Sequence, residues 1–325
     1  MSGSPIRIGM TMSSEEHGPR RLVELAVAAE SAGFDFVSAS DHFHPWISMQ
    51  GHSPFVWSVL GAIAEATEDI DVAVGVTCPT MRTHPAILAQ AVATTAILLD
   101  GRFTWGVGTG ENLNEHVVGS GWPPAEVRQD MLEEAVAVIR RLWNEESVTH
   151  RGRYYTVEDA RIFDMPTEPV PVVVSAFGER AADLAAEIGD GLWTTGPSGD
   201  IVDRFRESGG RGPVYSQLTL CWNPDVDVAV ETAHRQWPNT GLPGQLNQDL
   251  RTILHFEQAV ELVTPDMIRE SIPCGPDPDP VIESAQAAVE AGVDHLYLHQ
   301  IGDDQEGFLR FWEQELAGPL RELGT

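Results

Sequence analysis

Short apolar runs and amphipathic segments alternate along most of this chain. Residues 7–10 (Arg-Ile-Gly-Met) read as a first strand. From Pro19 to about Ala32, Leu22, Leu25, Ala26 and Ala29 recur at helical spacing, and Gly33 stops the segment. Phe36, Val37 and Ala39 begin a second strand, and Pro45 ends that run. The pattern then predicts a helix over 54–66, a strand over 70–76, a helix over 84–99, a strand over 103–107 and a helix over 128–143. Residues 148–155 suggest a hairpin lying outside this alternation. Further strands are expected at 170–176, 191–195, 214–220 and 295–299, with helices ending near 188, over 278–291 and over 305–323.

The βαβα order predicts a parallel sheet. Eight strands with a closing helix favour an α/β fold of the (β/α)8 TIM barrel type over an open sheet. The expectation is one domain over 1–325, with a hairpin inserted near 148–165. A helical insertion near 223–275 is too long for a single loop and should cover one end of the barrel.

Composition changes the picture mainly through charge. The 325 residues carry 49 Asp+Glu against 20 Lys+Arg, a formal net charge of -29, and all of the basic residues are arginine. Nucleic acid and anionic membranes are therefore not expected partners, because phosphate binding needs clustered positive charge. The small number of basic residues goes beyond an exchange of lysine for arginine in a GC-rich genome. It favours a halophilic origin, in which salt screens a dense carboxylate surface. Cys78, Cys221 and Cys274 lack CxxC spacing, which argues against a disulfide framework or a zinc knuckle. Residues 1–5 carry no apolar signal, Arg20-Arg21 are followed by no long apolar run, and no stretch reaches ~18 apolar residues. A cytoplasmic protein is expected.

In a barrel of this type the chemistry gathers where strands end. The strand ends carry Glu15, Asp41, His42, His44, Trp46, Glu111, Asn114, Ser175, Gly178 and Thr195. His42 is the best candidate for proton transfer, because imidazole titrates near neutral pH; Asp41 and Glu111 are the groups expected to tune it. Asp41, His42 and His44 are also metal-ligand types. Neighbours on an extended chain point opposite ways, however, so Asp41 and His42 are poorly placed to share one ion, and no metal is expected. Trp46 can wall the pocket and offer its π face to developing positive charge. Gly106-Val107-Gly108-Thr109-Gly110 lacks the third glycine of a dinucleotide fingerprint. It reads equally as a tight turn or as a backbone open to a flat ring or a phosphate. Gly75-Val76-Thr77 has the same two readings.

Four stretches, in this order, carry a family resemblance. They are Ser40-Asp41-His42-Phe43-His44-Pro45-Trp46, the run from Pro79 through Arg82 to Ala86, the run from Gly106 to Glu115, and Gly189-Asp190-Gly191. The chain resembles the luciferase-like superfamily over nearly its whole length, in the branch of coenzyme F420-dependent dehydrogenases. The resemblance implies a homodimeric barrel binding the deazaflavin coenzyme F420 at its C-terminal mouth and passing a hydride to it from a CH–OH carbon. It implies His42 as the base, Glu111 as the acid beside the ring, Trp46 beside the substrate and Glu15 behind the base. Asp41, Gly75, Val76, Gly108, Thr109 and Asn114 would hold the ring system, and Ser175, Ala176 and Gly178 the cofactor phosphate. Thr195 and Ser198 would meet substrate. Ser198 stands where sugar-phosphate enzymes of this branch are expected to carry a lysine, and the chain has no lysine to replace it; Arg269 lies near another expected basic position. An uncharged alcohol or sugar is therefore the expected substrate, with a sugar phosphate, an FMN-dependent monooxygenase reaction and non-catalytic deazaflavin binding as the alternatives.

Overall fold

The computed structural model describes residues 6–196 and 198–323. The lead-in at 1–5, Pro197 in the loop after the sixth predicted strand, and 324–325 lie outside the described residues. Eight parallel strands close into a barrel: β1 (Arg7–Met12), β2 (Phe36–Ala39), β3 (Asp71–Thr77), β4 (Phe103–Val107), β7 (Val172–Ser175), β8 (Gly191–Thr194), β9 (Val214–Leu220) and β10 (His295–Gln300). The antiparallel pair β5 (Val148–Arg151) and β6 (Thr156–Ala160) stands apart as the expected hairpin.

The crossover helices α1 (Pro19–Ser31), α2 (Val56–Ala66) and α3 (Pro85–Leu98) follow the first three strands. After β4 come the single turn α4 (Asn112–Glu115) and the long α5 (Ala125–Asn144); α6 (Glu179–Ile188) follows β7. The helix α7 (Gly199–Glu207) was not expected from the sequence. Only Ile201, Val202 and Phe205 mark its buried face, too few apolar positions to set a period. The insertion holds α8 (Val226–Gln236), α9 (Leu246–Asp249), α10 (Ile253–Val260) and α11 (Pro265–Ser271), before α12 (Asp279–Glu290) returns the chain to β10. The predicted closing helix divides into α13 (Gln305–Phe311), a π-helical turn at Trp312–Leu316 and α14 (Ala317–Glu322). At that turn Trp312 stacks on Phe34 at 4.2 Å and donates its indole N–H to Ala32 O. No helix among the described residues is long and apolar enough to cross a membrane.

Alternation along the strands sorts side chains between lumen and helices. Phe36, Ala73, Val173, Trp193, Tyr215 and Tyr297 fill the barrel interior. Trp193 stacks on Tyr215 at 4.8 Å and leans on Tyr297 at the same distance. The opposite faces pack against the helices in one large apolar layer. A second core unites the insertion with the loop after β2: Trp46 and Ile47 lie with Trp237, Leu242, Phe256, Ile268 and Ile272. The insertion therefore packs on the loop that follows β2.

Strand β3 carries an irregularity between Val74 and Thr77, and the Gly75–Val76 peptide is cis. A Cβ on Gly75 would stand 2.0 Å from the Trp193 ring, which Tyr215 and Tyr297 hold in place. Gly75→Ala is expected to cost about 1–3 kcal/mol by overpacking, measured as a lowered denaturant midpoint with an unchanged slope. An unaltered midpoint would show that the lumen has room to spare.

Candidate functional site

The site begins with two neighbouring strand ends. β1 and β2 pair in register from Gly9↔Phe36 to Met12↔Ala39, so the residues that follow them emerge side by side. Glu15 lies on the first turn beyond β1 and His42 just beyond β2. His42 Nδ1 stands 2.6 Å from Glu15 Oε1, a close ion-pair contact that lies off the line of an ideal hydrogen bond. On its other side, His42 Nε2 is 3.7 Å from Glu111 Oε2.

Hydroxyl groups brace the pair. Ser40 Oγ donates to Glu15 Oε1 at 2.7 Å and Ser13 Oγ to Glu15 Oε2 at 3.1 Å. Ser53 Oγ donates to the His42 carbonyl at 2.8 Å. Trp46 meets the imidazole edge-to-face at 5.2 Å and is backed by Phe256 of α10, again at 5.2 Å.

The electrostatics follow from burial. Desolvation by itself would lower the His42 pKa and raise that of Glu15. Attraction within the pair, aided by Glu111 on the imidazole and by the serine hydrogen bonds on the carboxylate, outweighs it. His42 is raised to about 9 and Glu15 lowered to about 2. Near neutral pH the pair is carboxylate and imidazolium.

Asp41 and His42 point opposite ways, as strand alternation requires. One expectation from the sequence is corrected here: Glu15 and Glu111 tune His42, and Asp41 does not. Arg82 instead donates to the Asp41 carbonyl at 2.6 Å and to its Oδ1 at 2.9 Å. The backbone N–H of Arg82 donates to Glu115 Oε2 at 2.9 Å. Burial pushes Glu115 up to about 7, against the pull of Arg82. Arg82 and Glu115 both lie inside the motif stretches, but nothing in the pattern marked their role. An arginine beyond the next strand becomes the partner of Asp41 only once β2 and β3 pair.

Asn114 is buried and acts as a clamp. Its Oδ1 accepts from the N–H groups of Phe43 and His44 at 2.9 and 3.0 Å, and its Nδ2 reaches toward Glu111 Oε2 at 3.4 Å. His44 Nδ1 lies 3.0 Å from the Leu113 carbonyl oxygen, a structural contact. Gly108 and Ser175 meet Val76 across adjacent strand ends: a Cβ on Gly108 would lie 2.8 Å from Val76 Cγ2 and 3.4 Å from Ser175 Cβ. Thr109 is half-buried just beyond β4 and Ala176 buried just beyond β7. Gly110 has φ +76, and a side chain there would run into Cys78 Sγ at 2.6 Å. Thr195 is exposed at the end of β8, and Ser198 stands just before α7 without a side-chain capping hydrogen bond. Arg269 on α11 pairs with Asp227 at 2.8 Å.

These residues fit a flat, anionic cofactor. Gly178 precedes α6, which has no side-chain cap, and its missing Cβ position is open, with no atom within 4 Å. The first N–H groups of such a helix have no partner within it and suit a phosphate. At the end of β3 the buried Thr77 Oγ1 has no hydrogen-bond partner among the described residues. Ser175 ends β7, and Ala176 and Gly178 lead into that helix; Gly75, Val76, Gly108 and Thr109 lie at the neighbouring ends of β3 and β4.

The chain is matched over residues 2–295 by the family model described as luciferase-like monooxygenase. It is 38% identical over 333 residues to an F420-dependent glucose-6-phosphate dehydrogenase from Segniliparus rotundus, covering 98% of this chain and 99% of that protein. A protein of the same name from Intrasporangium calvum is 36% identical, covering 98% and 100%. Among solved structures, an F420-dependent secondary alcohol dehydrogenase in complex with an F420-acetone adduct superposes with a TM-score of 0.88 at 32% identity, covering 96% of this chain and 98% of that one. A coenzyme F420 dependent tetrahydromethanopterin reductase from Methanopyrus kandleri shares the fold, with a TM-score of 0.78 at 21% identity over 97% and 99% of the two chains. The closed barrel, the match along nearly its full length and the two relatives above 30% identity place this chain in the luciferase-like monooxygenase family.

Proposed function

We propose that this chain is a coenzyme F420-dependent oxidoreductase that removes a hydride and a proton from the CH–OH group of an uncharged alcohol or sugar. The observation that carries this reading is His42 held between Glu15 at 2.6 Å and Glu111 at 3.7 Å, under the edge of Trp46. The F420-dependent dehydrogenases among its relatives support the choice of cofactor. When bound, the deazaflavin would supply the hydride acceptor. The rest of the work falls to protein side chains. His42 takes the hydroxyl proton as the carbonyl forms, and Glu15 stabilises the imidazolium that results. Trp46 walls the reacting carbon from water and presents its π face to charge developing there. Glu111, less buried than Glu15, is positioned to hold or move a proton on the cofactor side. Asp41 and Asn114 act through the loop: one is tied to Arg82 and the other binds the backbone beside His42.

Charge decides the substrate class. The chain has no lysine, Ser198 heads α7 and Arg269 is engaged with Asp227. These features favour an uncharged substrate, although several relatives are named for glucose 6-phosphate. The acidic composition supports a protein of a salt-rich cytoplasm, and the family resemblance supports a homodimer. Neither nucleic acid nor membrane is proposed as a partner.

His42→Ala should lower kcat by about 100- to 10,000-fold while leaving binding of the deazaflavin, read by quenching of its fluorescence, largely unchanged. Undiminished turnover would remove the base assignment; oxygen consumption by an FMN-loaded enzyme would remove the cofactor assignment. In an anaerobic panel, faster turnover of sugar phosphates than of free sugars and alcohols would overturn the substrate class.

Oxidation needs neutral His42, so its kcat/KM should climb with pH up to about 9. Carbonyl reduction needs the protonated ring and should fall above that pH. In Glu15→Gln the attraction is lost and burial lowers the His42 pKa, so the oxidative limb should move to lower pH. An unmoved limb would show that Glu15 does not set the proton affinity of His42. Activity and solubility should both persist as salt is raised to molar levels, and precipitation or inactivation there would sink the high-salt reading.

A further inference from the structure

The mouth has a second polar group, on the side formed by β9 and β10. Gln217, Thr219 and His299 follow Tyr215 and Tyr297 at strand spacing, so they continue the same lumen-facing rows beyond the aromatic plug. Thr219 and His299 are direct neighbours in register. Gln217 Nε2 donates to Thr219 Oγ1 at 2.8 Å and lies 3.4 Å from His299 Nδ1. The other imidazole nitrogen lies 3.4 Å from Glu16 Oε2, and Glu16 Oε1 accepts from the Gly302 N–H at 3.0 Å. Trp237 of the insertion closes over His299 edge-to-face at 4.6 Å. His299 and Glu16 are buried, while Gln217 and Thr219 are half-buried. Gln217 Oε1 meets no donor among the described residues.

This group is coupled to the proton-transfer pair. Glu16 is the residue after Glu15, and Ser13 Oγ both donates to Glu15 Oε2 and accepts from the Glu16 N–H. A molecule oxidised at His42 would extend toward β9 and β10. An amide, a hydroxyl and an imidazole offer donors and acceptors without net charge, which suits a neutral hydroxyl. The carboxylate of Glu16 behind His299 makes the same place unfavourable for a phosphate.

Resting on the oxidoreductase reading above, we propose that Gln217 and Thr219, positioned by His299 and Glu16, form a specificity subsite for a second, non-reacting hydroxyl of a polyhydroxylated neutral substrate. The test compares kcat/KM for the best free sugar or polyol with that for its deoxy analogues, each lacking one hydroxyl, using the deazaflavin-loaded enzyme. The unmodified enzyme should show about a tenfold penalty for one particular deoxy position. In Gln217→Leu that penalty should disappear, because the parent substrate loses what the analogue never had. Thr219→Val gives the same readout should Gln217→Leu fail to fold. A purely structural role would slow parent and analogue alike and leave the penalty in place, which would overturn the subsite. Turnover confined to monohydric alcohols or to sugar phosphates would overturn it as well. If the unmodified enzyme oxidises nothing in the panel, the oxidoreductase reading fails and the subsite with it.

Discussion

Two opposite charges, Glu15 and His42, are held 2.6 Å apart in a place that water barely reaches, and much of the surrounding structure serves that contact. Taking such a pair out of water costs several kcal/mol per ion, and mutual attraction offsets this only when the remaining hydrogen-bonding capacity is satisfied. Ser13 and Ser40 satisfy the carboxylate. A pair of this kind adds little to fold stability compared with apolar side chains of similar size. Its value lies in a proton affinity that a single side chain in water would not have. Barrel closure makes the contact possible, because parallel neighbours in register deliver both residues to the same rim.

The rest of the rim fixes the loop that carries His42. Asp41 is tied to Arg82, Asn114 binds the next two backbone N–H groups, and Trp46 packs edge-to-face on Phe256 of the insertion. The loop is therefore anchored from β3, from the turn after β4 and from the insertion, three segments far apart in the chain. The Arg82–Glu115 contact adds a further charged link beneath it. Such a rim has little freedom to reposition the imidazole, which suits the proton-transfer role proposed for it.

The mouth divides into two chemical halves. Around β3, β4 and β7 the strand ends are small and tightly fitted, with Val76 lodged against Gly108 and an uncapped helix at Gly178. That half is the one proposed to receive the flat, anionic cofactor. Around β9, β10 and the turn after β1 it is lined by amide, hydroxyl, imidazole and carboxylate groups. His42 and Trp46 stand between the halves.

Much of this was legible in the chain itself. Strand and helix periods gave the eightfold alternation, and the insertion announced itself by length. Proline, glycine and polar residues at the strand breaks marked the rim, because a buried parallel strand must be apolar and its end need not be. His42, Glu15, Glu111 and Trp46 were all found this way, as was the opposite facing of Asp41 and His42. Periodicity alone could not tell which carboxylate His42 would choose, since Glu15 and Asp41 are both acids at adjoining strand ends; only the family resemblance pointed to Glu15. Nor could it reveal Arg82 as the partner of Asp41, Asn114 as the clamp on the His42 loop, or Glu16 and His299 as a pair joining residues 283 positions apart. Local periodicity specifies which face a side chain presents. Which side chains then meet is decided by the register and closure of the barrel, which bring distant strand ends within hydrogen-bonding distance.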